Sequence, residues 1–430
     1  MSAPQRHINL NVRNLSLSAT LGINERSAQL SREGRKIFRL GLGQSPFPVP
    51  DPVIAALREN AHERDYLPVK GLSTLRDAVA TYHRERGMAV EGEDILIGPG
   101  SKELMFLLQL VYYGDLVIPT PSWVSYAPQA HIIGRNVRWI KTHAHNAWRL
   151  TPEELAQFCQ SDPDCPRLVI LNYPANPTGA TYSVDELKAI AEVAHQYGIV
   201  LLSDEIYGEL NHRGEHVSIA EFYPEGTIVS NGLSKWCGAG GWRLGTFAFP
   251  RSLRWLLDAM AVVASETFTS TSAPIQFAAI RAFQGGAEIE RYLRASRAVL
   301  GALGDMYYRI LHKAGVHVAK PAGGFYLFPD FSPFQDALAR RGITTSVQFC
   351  EALLQETGVA ILPGSAFGRP PNELTARIAY VDFDGAEALG KVVDDERGAR
   401  LTKKAVDRIG ADLNESARRI RDFLRRSGVP

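Results

Sequence analysis

Five polar residues between positions 176 and 243 could do chemistry together, because each comes shortly after an apolar run. Asn176 follows RLVILNYPA, Asp204 and Tyr207 follow IVLLS, and Lys235 follows TIVSNGLS, with Arg243 a little further on. In an open α/β sheet, ligands bind beyond the carboxyl ends of the strands. Three successive strands would then deliver an amide, a carboxylate with a phenol, and an amine into one crevice. The stretch SNGLSKWCGAGGWRLG, Ser230 to Gly245, surrounds its two cations with small residues. A lysine held among small residues near an arginine loses its proton more readily than a solvated one, which suits it to form a Schiff base with an aldehyde. Arg243 suits a phosphate or a carboxylate, and the glycines let the backbone come close to such an anion.

A phosphorylated aldehyde whose ring nitrogen is kept protonated by Asp204 describes pyridoxal 5'-phosphate (PLP), which demands a lysine Schiff base and an acidic partner for the pyridinium nitrogen. The elements that would position these groups are visible from about Asp94 onward. Short apolar runs, DILIGPG, LVIPTP, RLVILNYP, IVLLSDEIY, TIVSNG and TFAFP, alternate with helix-like stretches. Most are continuously apolar, as expected for strands covered on both faces. In SVDELKAIAEVAHQYG, Ser183 is placed to cap a helix, Glu186 completes a capping box and Gly198 ends the run. The expected class is therefore α/β with a largely parallel sheet. After the charged helical run beginning near Glu288, the segments GVHVAKPAGGFYLFPDF, VAILPGSAFG and ARIAYVDF suggest a smaller α+β layer. Residues 1–60 are expected to form an N-terminal arm and part of that small domain, 61–310 the large cofactor-binding domain, and 311–430 the rest of the small domain. ADLNESARRIRDFLRRSG reads as a charged amphipathic helix.

The 430 residues suffice for two closely packed domains. Hydrophobic residues make up 45% and charged residues 22%, with a formal net charge of +1. No apolar run is long enough to span a bilayer and no Lys/Arg block marks a nucleic-acid binder, so neither membrane nor nucleic acid is expected as a partner. Cys159, Cys165, Cys237 and Cys350 form no metal-binding or redox pair, the histidines lack metal-ligand spacing, and the N-terminus lacks a secretory pattern. The expectation is a cytoplasmic protein without a metal.

The chain resembles, in order and over nearly its whole length, the fold-type I PLP-dependent aminotransferases of class I/II. NYPANPTG is similar to the family's Asn-Pro-Thr-Gly signature, SDEIY to its Asp-x-x-Tyr strand end, and NGLSK with GWRLG to its lysine and phosphate-arginine segments. The resemblance implies a large domain with a mostly parallel, doubly wound, seven-stranded sheet. It makes Lys235 the Schiff-base lysine and the base that moves the substrate's proton, with Ser234 beside it in the cofactor site. Asp204 would keep the ring nitrogen protonated, while Tyr207 and Asn176 would bond the ring oxygen. Trp123, in PSWVSY, matches the residue that stacks on the ring. Ser101 and Lys102, in GPGSKELMF, match the helix N-terminus that receives the phosphate, and Arg243 completes that site. Arg377, in ARIAYV, resembles the arginine that clamps the substrate's α-carboxylate, with Gly43 bordering it. Tyr66, in DYLPVKG, resembles the tyrosine that reaches the other subunit's phosphate, which implies a homodimer with shared sites. Gly232 stands where many relatives have a phosphate-binding serine.

Within that family the pattern is closest to the bacterial aspartate aminotransferase branch, whose members bind the distal carboxylate with a lysine and a threonine that Lys102 and Thr20 match. The implied reaction moves an amino group between an amino acid, expected to be a dicarboxylic one such as aspartate or glutamate, and a 2-oxo acid. Gln44 and Ser45 depart from the Glu-Pro that commonly follows Gly43. Three alternatives share the cofactor residues or the fold: a lyase or oxidase-like PLP enzyme, a transaminase for non-acidic amino acids, and a regulator, which would normally carry an added DNA-binding domain.

Overall fold

The computed structural model describes residues 7–13, 15, 19–396 and 398–427; the side chains of residues 19–21 and 24 lie outside the description, Thr20 among them. Seven strands form the main sheet: β2 (Ile95–Gly98), β3 (Asp115–Thr120), β4 (Val137–Lys141), β5 (Arg167–Asn172), β6 (Val200–Asp204), β7 (Thr227–Gly232) and β8 (Gly245–Ala248). Their spatial order is β2-β8-β7-β6-β5-β3-β4. All neighbours are parallel except β8, which runs antiparallel to both β2 and β7. The expected α/β class and seven-stranded, mostly parallel sheet are present.

Alternation along the strands explains why these runs are apolar throughout. Leu168 and Ile170 of β5 join Leu202 and Ile228 in one core, while Val169 and Leu171 join Leu201 in the core on the opposite face. Successive side chains leave a strand on opposite sides, so a sheet packed on both faces has no polar positions to offer in its middle. The six expected strands are all found. The seventh, β4, lacked this signal because it is an edge strand: only Ile140 is buried, and Arg138, Trp139 and Lys141 are exposed.

Helices follow their capping signals. Ser183 Oγ accepts the Glu186 N–H, and the Glu186 carboxylate accepts the Ser183 N–H at 2.8 Å, opening the Val184–Gln196 helix. Gly198, with φ +57°, follows its end.

A second layer gathers the two ends of the chain. β1 (Phe38–Arg39) pairs parallel with β10 (Val359–Ala360), and β9 (Tyr326–Leu327), β11 (Leu362–Pro363) and β12 (Ala376–Ala379) form an antiparallel sheet in the order β11-β12-β9. The Ala287–Lys313 helix runs through position 310, and we propose that this helix is the junction between the expected 61–310 and 311–430 units. The Ala411–Arg426 helix closes the layer, burying Leu413, Ile420, Phe423 and Leu424.

Ser183→Ala removes the acceptor for the Glu186 N–H. It should lower the free energy of unfolding by about 1 kcal/mol, read by urea denaturation.

Candidate active site

The carboxyl ends of β5, β6 and β7 meet at a cavity of about 580 Å³. It is lined by Ser101, Lys102, Trp123, Asn176, Asp204 and Tyr207, and by Ser234, Lys235, Arg243 and Gly43. Ten of the residues singled out in the sequence are thus brought together. Arg377 stands directly behind Asn176, Tyr66 lies away from the cavity at 90% exposure, and the Thr20 side chain lies outside the described residues.

Asp204 ends β6 and is 4% exposed. One carboxylate oxygen, Oδ2, accepts the Tyr126 hydroxyl at 2.6 Å, and the other, Oδ1, is buried without a partner among the described residues. Burial pushes its pKa up to about 6, with the Tyr126 bond, and then the nearby Ile206 N–H and Ser230 hydroxyl, which make no hydrogen bond of ordinary geometry to Oδ1, pulling the other way. The strand end is tied in by Asn172, whose Nδ2 donates to the Asp204 carbonyl at 2.7 Å and whose Oδ1 accepts the Asn176 N–H at 2.8 Å.

Lys235 follows β7 and donates from Nζ to the Gly43 carbonyl at 2.7 Å. Burial, and then the Arg377 charge, push its pKa down to about 8, while Asp204 opposes the shift. About a tenth of this amine is unprotonated at pH 7, far more than of a solvated lysine. Gly43 is required beside it, since a Cβ there would lie 1.9 Å from the Tyr326 hydroxyl. That hydroxyl is 2.8 Å from the Tyr207 hydroxyl, and burial raises both phenols above their ordinary pKa.

An anion cradle lies at one end. The Ser101–Val111 helix begins there, so its first N–H groups have no intrahelical acceptor. Arg243, in the left-handed region at φ +56°, donates to the Gly240 and Pro99 carbonyls at 3.0 and 3.4 Å. A Cβ on Gly245 would lie 2.1 Å from the Ser101 nitrogen, which is why glycine lets β8 approach the helix. Gly232 has a comparable reason: a Cβ there would meet the Leu244 carbonyl oxygen at 2.6 Å. The backbone itself therefore excludes a serine at that position.

Arg377, on β12, is 3% exposed and faces the rings of Tyr326 and Phe367 at 4.8 and 5.0 Å. It donates to Asn176 Oδ1 at 3.0 Å and to the Gly41 carbonyl at 2.5 Å, and its Nε has no partner among the described residues. Lys102 is exposed at the cavity mouth with Nζ 5.1 Å from the Trp123 ring centroid, and desolvation, then Arg243, hold its pKa below the ordinary value.

Sequence reading missed Tyr126, Asn172 and Tyr326. Tyr126 stands three residues after Trp123 in PSWVSY, and Asn172 directly ends a predicted strand, so position alone could have found both. Tyr326 comes from a distant segment that only the fold brings near Tyr207. Cys237, two residues after Lys235, is buried with its thiol pushed up to about 12 by burial, so it is no nucleophile near neutral pH.

A desolvated lysine between a buried carboxylate and an anion cradle, at the carboxyl edge of a parallel sheet, defines a lysine-centred α/β enzyme. The model of the family described as aminotransferase class I and II matches residues 35–387. The chain belongs to that family and is an aminotransferase. It is 35% identical to an aspartate aminotransferase of Geobacillus stearothermophilus, covering 86% of this chain and 93% of that protein. It is 33% identical to an asparagine–oxo-acid transaminase of Streptococcus mutans, covering 84% and 92%. Among solved structures, the aspartate aminotransferase of Thermus thermophilus with maleate superposes with a TM-score of 0.80 at 29% identity, covering 95% of this chain and 100% of that one. That of Rhizobium meliloti gives 0.83 at 29% identity, covering 98% and 100%.

The depressed lysine is testable without any cofactor. Trinitrobenzenesulfonate should modify Lys235 of the cofactor-free protein with a rate that climbs through a midpoint near pH 8, read by mass spectrometry of the labelled peptide. A midpoint in the ordinary lysine range would show that the amine is not desolvated.

Proposed function

We propose that this aminotransferase uses PLP, takes a dicarboxylic amino acid such as aspartate or glutamate as donor and a 2-oxo acid as acceptor, and works as a cytoplasmic homodimer. The observation that carries the reading is one cavity holding both Lys235, its amine pushed down to about 8, and Asp204, with a buried oxygen that lacks a donor. PLP fits these residues. A protonated ring nitrogen would supply the donor that Asp204 Oδ1 lacks, and the Ser101–Lys102 helix start with Arg243 and Ser234 would hold the phosphate. Trp123 offers a ring face, and Tyr207 with Asn176 would bond the ring oxygen.

When bound, PLP supplies an aldehyde to carry the amino group and a ring that withdraws electrons from the substrate. Lys235 Nζ, its pKa pushed down to about 8 by burial, would take up the proton that leaves the substrate's α-carbon. A positive charge facing Asp204 would keep its carboxylate ionised against the upward pull of burial, and the Tyr126 hydroxyl fixes its orientation. Arg377 would clamp the α-carboxylate, with the Gly43 backbone at its edge. Tyr207 is oriented by Tyr326, so its hydroxyl is held without a water between them.

The donor's identity rests on Lys102. Its ammonium has no carboxylate partner among the described residues and stands over Trp123, where a distal carboxylate of the substrate would neutralise it. Thr20 is proposed to assist it. The names of the relatives, aspartate and asparagine transaminases, agree with an acidic or closely related donor. Tyr66, exposed in the single chain, is proposed to reach the phosphate in the partner's site. The cytoplasmic placement is supported by four free thiols.

The direct test mixes the PLP-loaded enzyme with single amino acids and follows the cofactor's absorbance. Aspartate or glutamate should convert it fastest; faster conversion by alanine or an aromatic donor, or ammonia release without a 2-oxo acid, would contradict the reading. Lys102→Ala should lower kcat/KM for aspartate about tenfold and leave alanine within about twofold, the modest size reflecting an exposed pair. Equal losses on both would remove Lys102 from substrate recognition.

A further inference from the structure

The family match ends at residue 387, yet the chain continues through a hairpin, β13 (Val393–Asp395) and β14 (Gly398–Arg400), and two helices, Lys403–Ile409 and Ala411–Arg426. Between these last helices and the Ala287–Lys313 helix lies a cleft of about 770 Å³, a volume in the range of small-molecule sites. Its floor is apolar, made of the partly buried side chains of Met306, Ile310, Leu401 and Val406.

Its walls are strongly cationic. Arg309 and Lys313 stand on one side, Arg418, Arg421 and Arg425 on the other, and Lys403 at one end, against only Asp305 and Asp407. Asp305 is already engaged by Arg309 at 2.6 Å and by Lys320 at 3.0 Å, and Arg421 pairs with Asp422 at 2.8 Å. Lys313, Lys403, Arg418 and Arg425 have no ion-pair partner among the described residues. The chain as a whole carries only +1, so this concentration is local. The Asn414 side chain also lines the cleft, with Met306 Sδ at 3.9 Å as its only side-chain partner among the described residues, which leaves its amide free to bond a ligand.

We propose that this cleft is a second ligand site, separate from the catalytic cavity, for a small organic polyphosphate of the nucleoside di- or triphosphate class. An apolar floor with free cations on both sides matches a planar or aliphatic body bearing two or more phosphates, and guanidinium groups recognise phosphate oxygens in pairs. A short, three-walled cleft suits such a molecule better than an extended polymer.

The test is calorimetric titration of the PLP-loaded enzyme with ATP in the absence of divalent metal, with tripolyphosphate and adenosine as probes of charge alone and body alone. ATP should bind with a Kd in the micromolar range and weaken as salt rises. Tripolyphosphate and adenosine should each bind at least about tenfold more weakly, and the double variant Arg418→Gln/Arg425→Gln should lose at least about tenfold for ATP. Both arginines are exposed, so transamination should be unchanged in that variant. Val406→Asp, which places a carboxylate on the floor, should also abolish ATP binding. The proposal is overturned if ATP does not bind at about 1 mM, if both variants retain it, if tripolyphosphate binds as well as ATP, or if an acidic peptide binds more tightly than any of them.

Discussion

The catalytic cavity depends on the register of three parallel strands. Asn172 of β5 lies opposite Asp204 of β6, and Asp204 opposite Ser230 of β7. A slip of one residue would turn Asp204 to the other face of the sheet. The register is held by the alternating apolar residues of the strand interiors, each set buried in its own core. The most hydrophobic part of the chain thus decides where its most polar side chains arrive. Asn172 then converts register into site geometry, bonding the Asp204 carbonyl with its amide and receiving the Asn176 N–H with its oxygen.

The same dependence explains what could be read from the sequence. Asn176, Asp204, Tyr207 and Lys235 were legible because each comes shortly after a strand whose apolar run is unmistakable, and the structure brings all four to one cavity. The edge strand β4 was not, since a strand with one packed neighbour and exposed Arg138, Trp139 and Lys141 carries no continuous apolar signal. Tyr326 was missed for a different reason. It belongs to β9, whose approach to Tyr207 is set by a three-stranded layer assembled from segments between 326 and 379. Nothing local to GGFYLF announces a phenol–phenol contact across more than a hundred residues. The spacing of glycines around Lys235 was visible, but the purpose of Gly245 and Gly232 appears only as distances to the Ser101 nitrogen and the Leu244 carbonyl.

Two buried groups of opposite sign share the cavity, and each is pushed toward its uncharged form, Asp204 up to about 6 and Lys235 down to about 8. A carboxyl whose folded pKa is raised favours the fold while protonated, and that contribution is lost as pH rises through about 6. An amine whose folded pKa is lowered favours the fold while neutral, and that contribution is lost as pH falls through about 8. Between those values a cavity without PLP would hold both charges at a cost, partly offset by their mutual attraction. A ligand that brings a positive ring nitrogen to Asp204 and an aldehyde to Lys235 relieves both, so its binding should stabilise the protein most in that interval.

The central claim is that the unpartnered oxygen of Asp204 keeps the ring nitrogen of PLP protonated. The ¹⁵N chemical shift of ring-labelled PLP bound to the enzyme near neutral pH measures this directly. The shift of a protonated nitrogen is predicted for the wild type, and that of an unprotonated one for Asp204→Asn. An unprotonated nitrogen in the wild type, or the same protonated shift in both proteins, would contradict it.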